Sequence, residues 1–482
     1  MSSDRFTPLF HAKSVAIIGA SSDPRKWGFA VLRNLMNGGF EGRIYPVNRE
    51  ADELRGLKVF RNVAEIPETP DLACIVVPPH AVLPVIRDCV SKGVKAGVII
   101  TAGFAELGEE GKRLQDEIVE TARKGSMMLV GPNCNGIMNP WHKLYVDFPH
   151  FHVPPGQIAI VAQSGNVVDV MARQIMIRGL GCSLCVASGN EADLHIEDYL
   201  EYLADDPHTG VILCYIEGFK DGKRFLKIAG EVSRKKPIVA LKVGRTMAGV
   251  RAAASHTASI AGSDSVFNAV CKRAGIIRVN NLEDMLNIGI ALLRQPLPRG
   301  RKLGIVTAGG GWGVLAADAC AERGFDVIKL PDETIMELDS FLPAWWSRSN
   351  PVDLVAGTFA DDVFRAVEAV LSSSAVDCAV YLSIMPALKL KRLATPADEA
   401  ASSEWGNHLV QAIVDAMEHF NKLAVSYGKP VVVASEHLFA TAVQETMINY
   451  ALGQHGLLCC HHPHQAAEVL HALAEYGEWR NK

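Results

Sequence analysis

One imidazole stands out by its surroundings. The stretch 250–262 reads Val-Arg-Ala-Ala-Ala-Ser-His-Thr-Ala-Ser-Ile-Ala-Gly, so His256 sits among small and hydroxyl residues with no bulky neighbour to cover its ring. A histidine that can be reached is either a solvated loop residue or a nucleophile and proton carrier, and residue type alone does not separate the two. Its company narrows the choice. An apolar run over 210–216 ends in Glu217-Gly218, and another, 237–242, leads directly into the histidine stretch. If these runs are neighbouring parallel strands, Glu217 and His256 reach the same sheet edge. A carboxylate that accepts one ring N–H fixes the tautomer and raises the nucleophilicity of the other nitrogen, as phosphorylation of an imidazole requires. The alternative is that Glu217 merely caps the helix expected over 221–234.

Anion-binding turns are the second chemical signal. Three apolar runs close on small-residue turns that open helices: Gly19-Ala20-Ser21-Ser22, Gln163-Ser164-Gly165-Asn166 and Gly309-Gly310-Gly311-Trp312-Gly313. Bare backbone N–H groups and the positive end of a helix dipole make such a turn a seat for phosphate. The third turn is the richest in glycine, a composition that costs chain entropy unless something must approach the backbone closely. The first is not a full Gly-x-Gly-x-x-Gly. The strand after it, 43–47, leads to Asn48, where a dinucleotide-binding unit would carry an acid for the ribose hydroxyls, so NAD is disfavoured.

Strand–helix alternation must position these groups. Strands are predicted at 14–19, 43–47, 72–77, 96–101 and 127–130, with helices between them. Such alternation gives a parallel sheet whose ligand crevice lies outside the carboxyl ends of the strands. The loops there offer Gly19, Ala20, Ser21, Ser22, Asn48, Val77, Pro78, Pro79, Thr101 and Asn133. A proline-bounded arm at 140–156 leads to a second series, with strands at 157–161, 182–187, 210–216 and 237–242. A break at 292–301, holding two prolines and three arginines, leads to a third. The fold class expected is α/β with three doubly wound domains: a Rossmann-like unit over 1–145 and two flavodoxin-like units over 155–295 and 300–482.

Composition excludes other classes. At 482 residues the chain exceeds one core of roughly 150 residues. With 21% charged residues and a net charge of -5, it has no basic stripe for nucleic acid. No run approaches the ~18 apolar residues of a membrane span, and Met-Ser-Ser-Asp-Arg-Phe lacks a signal-peptide core, so a soluble cytoplasmic protein is expected. The eleven cysteines are scattered, with Cys459 and Cys460 adjacent, which indicates neither a zinc site nor a disulfide framework; no metal site is expected.

Eight short motifs stand in one order: Val-Ala-Ile-Ile-Gly-Ala-Ser at 15–21, Tyr-Pro-Val-Asn at 45–48, Gly-Pro-Asn-Cys at 131–134, Gln-Ser-Gly at 163–165, Gly-Asn-Glu-Ala-Asp at 189–193, Tyr-Ile-Glu-Gly at 215–218, Ser-His-Thr-Ala at 255–258 and Asn-Pro-Val-Asp at 350–353. With them the chain resembles the nucleoside-diphosphate-forming acyl-CoA synthetase superfamily, most closely the α subunits of ADP-forming acetyl-CoA synthetases and more distantly the succinyl-CoA synthetase α subunit. The resemblance implies a first domain that binds CoA through the loop residues named above. It implies a phosphoryl group carried on His256, oriented by Glu217, with phosphate held at the helix N-termini of Gln163, Ser164, Gly165 and Asn166 and of Gly309, Gly310 and Gly311. The implied cycle is reversible: acyl-CoA and phosphate give acyl phosphate and CoA, the phosphoryl group passes to His256, and from there to a nucleoside diphosphate.

No stretch resembles an ATP-grasp domain. Mg2+ and ADP or ATP are therefore expected on a separate ATP-grasp β subunit in a hetero-oligomer, while CoA and acyl-CoA are the ligands expected here. The chain departs from the family pattern at Ala162, where serine is frequent, and at Ala308 and Trp312 in the third turn, where the family usually reads Thr-Asn-Ala-Gly-Gly-Pro-Gly. Two other readings stay open. One is a CoA-binding or regulatory protein of the same fold without turnover, opposed by Ser255, His256 and Glu217. The other is an NAD-linked oxidoreductase, opposed by Asn48.

Overall fold

The computed structural model describes residues 3–249, 251, 263–354, 360–383, 403–436 and 442–482. The chain divides into two compact units, Met1–Met176 with Gly181–Asn280, and Ile177–Leu180 with Asn281–Lys482.

The first unit opens on a parallel sheet. Its strands are β1 (Ser14–Ile18), β2 (Arg43–Val47), β3 (Leu72–Ile75), β4 (Ala96–Ile99) and β5 (Met128–Val130), in the order β2-β1-β3-β4-β5. Every residue of β1, β3 and β4 is buried, which is why these strands read as unbroken apolar runs rather than alternating ones. Helices α1 (Trp27–Asn37), α2 (Pro79–Lys92) and α3 (Glu109–Lys124) make crossovers between them. The strand order reverses between β1 and β3, and that reversal opens the crevice at the carboxyl edge.

A second sheet in the same unit holds β6 (Gly136–Asn139), β7 (Leu144–Asp147), β8 (Pro155–Ala162), β9 (Cys182–Ala187), β10 (Val211–Ile216), β11 (Ile238–Lys242) and β12 (Ile277–Val279), ordered β12-β11-β10-β8-β9-β6-β7. Its five parallel strands repeat the winding of the first sheet, with the reversal between β8 and β10. Helices α4 (Gly165–Ile177), α5 (Ile196–Asp205) and α6 (Gly222–Lys235) follow β8, β9 and β10. The antiparallel pair β6–β7 extends the edge through β9. The arm read at 140–156 thus carries a strand at Leu144–Asp147. Pro140 and the turn at 140–143 hid it, since two four-residue strands around a proline give little period-2 signal.

The second unit is built on β13 (Lys302–Thr307), β14 (Asp326–Val327), β15 (Val352–Asp353), β16 (Cys378–Ser383), β17 (Val431–Ser435) and β18 (Cys459–Cys460). The order is β14-β13-β16-β17-β18, and β15 pairs the end of β13 beyond β14. Asn350 bridges that break: its Oδ1 accepts from Ile305 N at 2.9 Å, and its Nδ2 donates to Leu303 O at 2.8 Å and Ile328 O at 2.9 Å. Among the described residues no helix is long and apolar enough to cross a membrane. All three sheets are doubly wound, as the strand–helix alternation predicts.

Candidate active site

The ten loop residues expected to face a nucleotide-like ligand converge at the carboxyl edge of the first sheet, joined by hydrogen bonds from loop to loop. Gly19 follows β1 with φ 98°, and a Cβ there would lie 2.3 Å from Val76 O, so both conformation and space require glycine. Asn48, after β2, donates from Nδ2 to Ala20 O at 2.8 Å and accepts at Oδ1 from Glu50 N at 2.8 Å and Ala51 N at 3.1 Å. Its side chain is a strap between two loops. Ser21 Oγ accepts from Asp23 N at 3.0 Å, leaving Ser22 exposed at the rim. Thr101 Oγ1 donates to Val77 O at 2.7 Å, tying the loop after β4 to Val77, Pro78 and Pro79, the last of which opens α2. Asn133 N donates to Thr101 O at 2.9 Å and completes the row. The helix that closes the first turn also approaches closely, since a Cβ on Gly28 of α1 would fall 2.0 Å from Gly19 O.

The second sheet brings Gln163 and Glu217 together because they follow β8 and β10, the strands that flank its reversal. Gln163 is 7% exposed, and its amide is fully used within the chain. Nε2 donates to Gly218 O at 2.8 Å and Glu191 Oε2 at 2.9 Å, while Oε1 accepts from Glu217 N at 2.5 Å and Gly218 N at 3.1 Å. Its side chain therefore shapes the Glu217 loop, and what the turn offers an anion comes from the helix N-terminus beside it. Ser164 is buried there, Asn166 is exposed, and a Cβ on Gly165 would lie 2.1 Å from Asn135 Oδ1, so the start of α4 is pressed against the loop that follows the first sheet.

Glu217 is 4% exposed. Ile216 pairs with Lys242 across β10 and β11, so Glu217 stands level with Val243, where the segment leading to His256 begins. Lys242, 2% exposed, donates from Nζ to Glu217 O at 2.7 Å; burial pulls its ammonium below the usual lysine range while Asp264 and Glu217 oppose that. His256 itself, with Ser255, lies outside the described residues.

Sequence reasoning assigned no role to several residues that the fold places here. Glu191, 2% exposed at φ 50°, accepts from Gln163 and from Ser188 Oγ at 2.8 Å. Burial raises its carboxyl to about 7, against the pull of these two donors. Asp169, in α4, accepts from Asn135 Nδ2 at 2.6 Å and is raised by burial to about 6. The signal was present as Gly-Asn-Glu-Ala-Asp and as an acid in the first turns of a helix, but neither pattern says which partner an acid meets.

In the second unit, Gly309, Gly310 and Gly311 do form a strand-to-helix turn, with Gly309 preceding α7 (Gly310–Ala321). A Cβ on Gly310 would lie 2.8 Å from Asp353 Oδ2, so the acid of Asn-Pro-Val-Asp abuts that helix start. A carboxylate of the chain itself thus stands against this turn.

Family models match in sequence order: a CoA binding domain over residues 13–140, a succinyl-CoA ligase like flavodoxin domain over 155–292 and a ligase-CoA domain over 303–392. The α subunit of acetate–CoA ligase [ADP-forming] II from Pyrococcus furiosus is 38% identical over 471 residues, 98% of this chain and 97% of that one. The acetate–CoA ligase [ADP-forming] of Methanocaldococcus jannaschii is 42% identical over 347 residues, covering 72% of this chain but 49% of its own length. Among solved structures, the dinucleotide-forming acetyl-coenzyme A synthetase 1 of Ca. Korarchaeum cryptofilum, in complex with phosphate and ADP, superposes with a TM-score of 0.86 at 34% identity, over 99% of this chain and 97% of that one.

Proposed function

This chain belongs to the family of ADP-forming acetate–CoA ligase α subunits, and on that premise we propose that its first crevice seats CoA while His256, oriented by Glu217, carries the phosphoryl group between an acyl phosphate and ADP. The overall reaction interconverts acyl-CoA, phosphate and ADP with carboxylate, CoA and ATP. The observation that carries the residue assignment is the meeting of the Gln163 turn and the Glu217 loop at one sheet reversal, beside the strand that leads to His256.

The steps are those that the family resemblance implies. A phosphate oxygen attacks the thioester carbonyl; the C–S bond breaks, and CoA leaves as a thiolate that takes up a proton. A ring nitrogen of His256 then attacks phosphorus, the P–O bond to the acyl group breaks, and the carboxylate leaves. Glu217 accepts the other ring N–H, which presents the free nitrogen and stabilises the positive charge that develops on the ring. The phosphoryl group finally passes to a terminal oxygen of ADP. Helix N-termini aid each transfer by stabilising phosphate charge without reorganising.

Among the described residues no group of three or more His, Cys, Asp or Glu is placed to hold a metal ion. Mg2+ and the nucleotide are assigned to an ATP-grasp partner. The half-length match to the Methanocaldococcus jannaschii chain supports that division. Eleven unpaired cysteines fit a cytoplasmic setting.

The test is radiolabelled phosphate with acetyl-CoA. The chain alone should gain an acid-labile, base-stable label that His256→Ala abolishes, and should discharge it to ADP only when an ATP-grasp partner is added. Glu217→Gln should slow labelling roughly a hundredfold rather than prevent it, because the amide oxygen still accepts the ring N–H. ATP formation by the purified chain alone would overturn the two-component reading.

A further inference from the structure

The turn after β9 binds in two directions. Asn190 faces the first sheet: its Nδ2 donates to Glu106 Oε2 at 2.6 Å and Gln115 Oε1 at 3.0 Å, and its Oδ1 accepts from Asn133 Nδ2 at 3.2 Å. Its backbone N also donates to Pro132 O at 2.9 Å. Glu191, the next residue, faces the second sheet through Gln163. It sits in left-handed backbone that a glutamate keeps only where its surroundings hold it.

We infer that Glu191 is a positioning residue for phosphoryl transfer, acting through the Gln163 amide on the backbone that carries Glu217. The inference rests on the reading of Glu217 as the carboxylate that orients His256. Gln163 can face only one way, because Nε2 meets the acceptors Glu191 Oε2 and Gly218 O while Oε1 meets the donors Glu217 N and Gly218 N. A carboxylate bonded to Nε2 draws amide electron density toward Oε1. That strengthens both bonds onto the Glu217 loop, a cooperative effect that a dry interior enhances. The charge of Glu191 is thus felt, one side chain away, at the root of Glu217.

Ser188 lets this charge change without breaking the network. Its Oγ has two acceptors in reach, Glu191 Oε1 at 2.8 Å and Ala162 O at 3.3 Å, but one proton to give. When Glu191 takes a proton on Oε1, it donates to Ser188 Oγ, whose own proton turns to Ala162 O. No group is left unpaired, and only the polarisation of Gln163 differs. Burial places this exchange near neutrality, since it raises the Glu191 carboxyl to about 7. The charged groups facing Glu191 are His195 and Glu197 at the start of α5, whose influences oppose each other. The Tyr199 phenol and the Cys214 thiol, both raised chiefly by burial, also feel its charge.

The experiment follows the backbone N–H signals of Glu217 and Gly218 by NMR across neutral pH in the full chain, with the His256 labelling rate measured in parallel. In the wild type both signals should titrate with a midpoint of about 7. Labelling should quicken through the same midpoint. Glu191→Gln keeps the shape, with its carbonyl facing Gln163 and its NH2 facing Ser188, so both signals should stay fixed. Its labelling should be flat with pH at roughly a tenth of the alkaline wild-type rate, with KM for acetyl-CoA unchanged. A purely structural role would instead lower the rate equally at every pH. Wild-type signals that do not titrate, or a Glu191→Gln protein with the wild-type rate and pH profile, would overturn the inference alone. A wild-type chain that never gains label on His256 would bring down the functional reading and this inference with it.

Discussion

At the scale of single residues, the Gln163 amide is the part with least slack. Gln163→Ala removes four hydrogen bonds at once and leaves the buried Glu191 carboxylate without one of its two donors and Glu217 N without its acceptor. Stranded buried groups cost about 1–3 kcal/mol each, so the urea-unfolding free energy should fall by about 2–4 kcal/mol, with loss of His256 labelling. Glu191 and Asp169 set a pH dependence of opposite sense to the usual carboxylate case. Burial raises them to about 7 and about 6, above the ordinary 4.5 and 3.8. A raised carboxyl favours folding while protonated; that contribution is complete below the ordinary value and is lost as pH rises through the folded one. The urea midpoint should therefore fall from about pH 5 to about pH 8, and Glu191→Gln should recover on the order of 1–3 kcal/mol at the upper end. If Glu191→Gln is both more stable and slower, the charge is kept for function at a cost in stability.

At the scale of elements, the crevice proposed for CoA depends on how closely α1 approaches the turn after β1. Gly28→Ala would place a methyl 2.0 Å from Gly19 O, a backbone atom that cannot rotate away. The helix must shift, at a cost of about 1–3 kcal/mol. CoA affinity measured by calorimetry should drop at least tenfold, while labelling of His256 by acetyl phosphate should survive, because Gly28 lies outside the Gln163 and Glu217 loops. Equal loss of both activities would show that the two loop systems do not act separately.

At the scale of the molecule, the hairpin β6–β7 makes the two sheets of the first unit hard to part. Its strands follow the first sheet in sequence but pair with β9 of the second. A fragment ending at residue 145 would cut β7 after its second residue and strip β6 of β9, exposing unpaired edges. That fragment should aggregate or unfold at lower urea than one ending at Asn280. Ligand preference is therefore best measured on the full chain, where CoA should bind more tightly than NAD; the reverse order would sink the assignment of the first crevice.

The sequence by itself determined the alternation of strands and helices, the three small-residue turns and the chain positions of Glu217 and His256. These are local properties: periodicity, glycine in left-handed backbone and the residue that follows a strand are all written within a few positions. It also implied that Glu217 and the histidine segment share an edge, because adjacent parallel strands in such a winding leave little choice. Only the tertiary structure decided that Gln163 holds the Glu217 loop, that Glu191 lies behind it, that Asp353 abuts the third glycine turn and that residues 136–147 belong to the second sheet. Each of these joins groups distant in sequence, as Gln163 and Glu217 are, and a side chain's type states how many bonds it can make but not with whom. Partners are chosen by the order in which strands close the sheet, a long-range outcome that no single stretch of this chain contains.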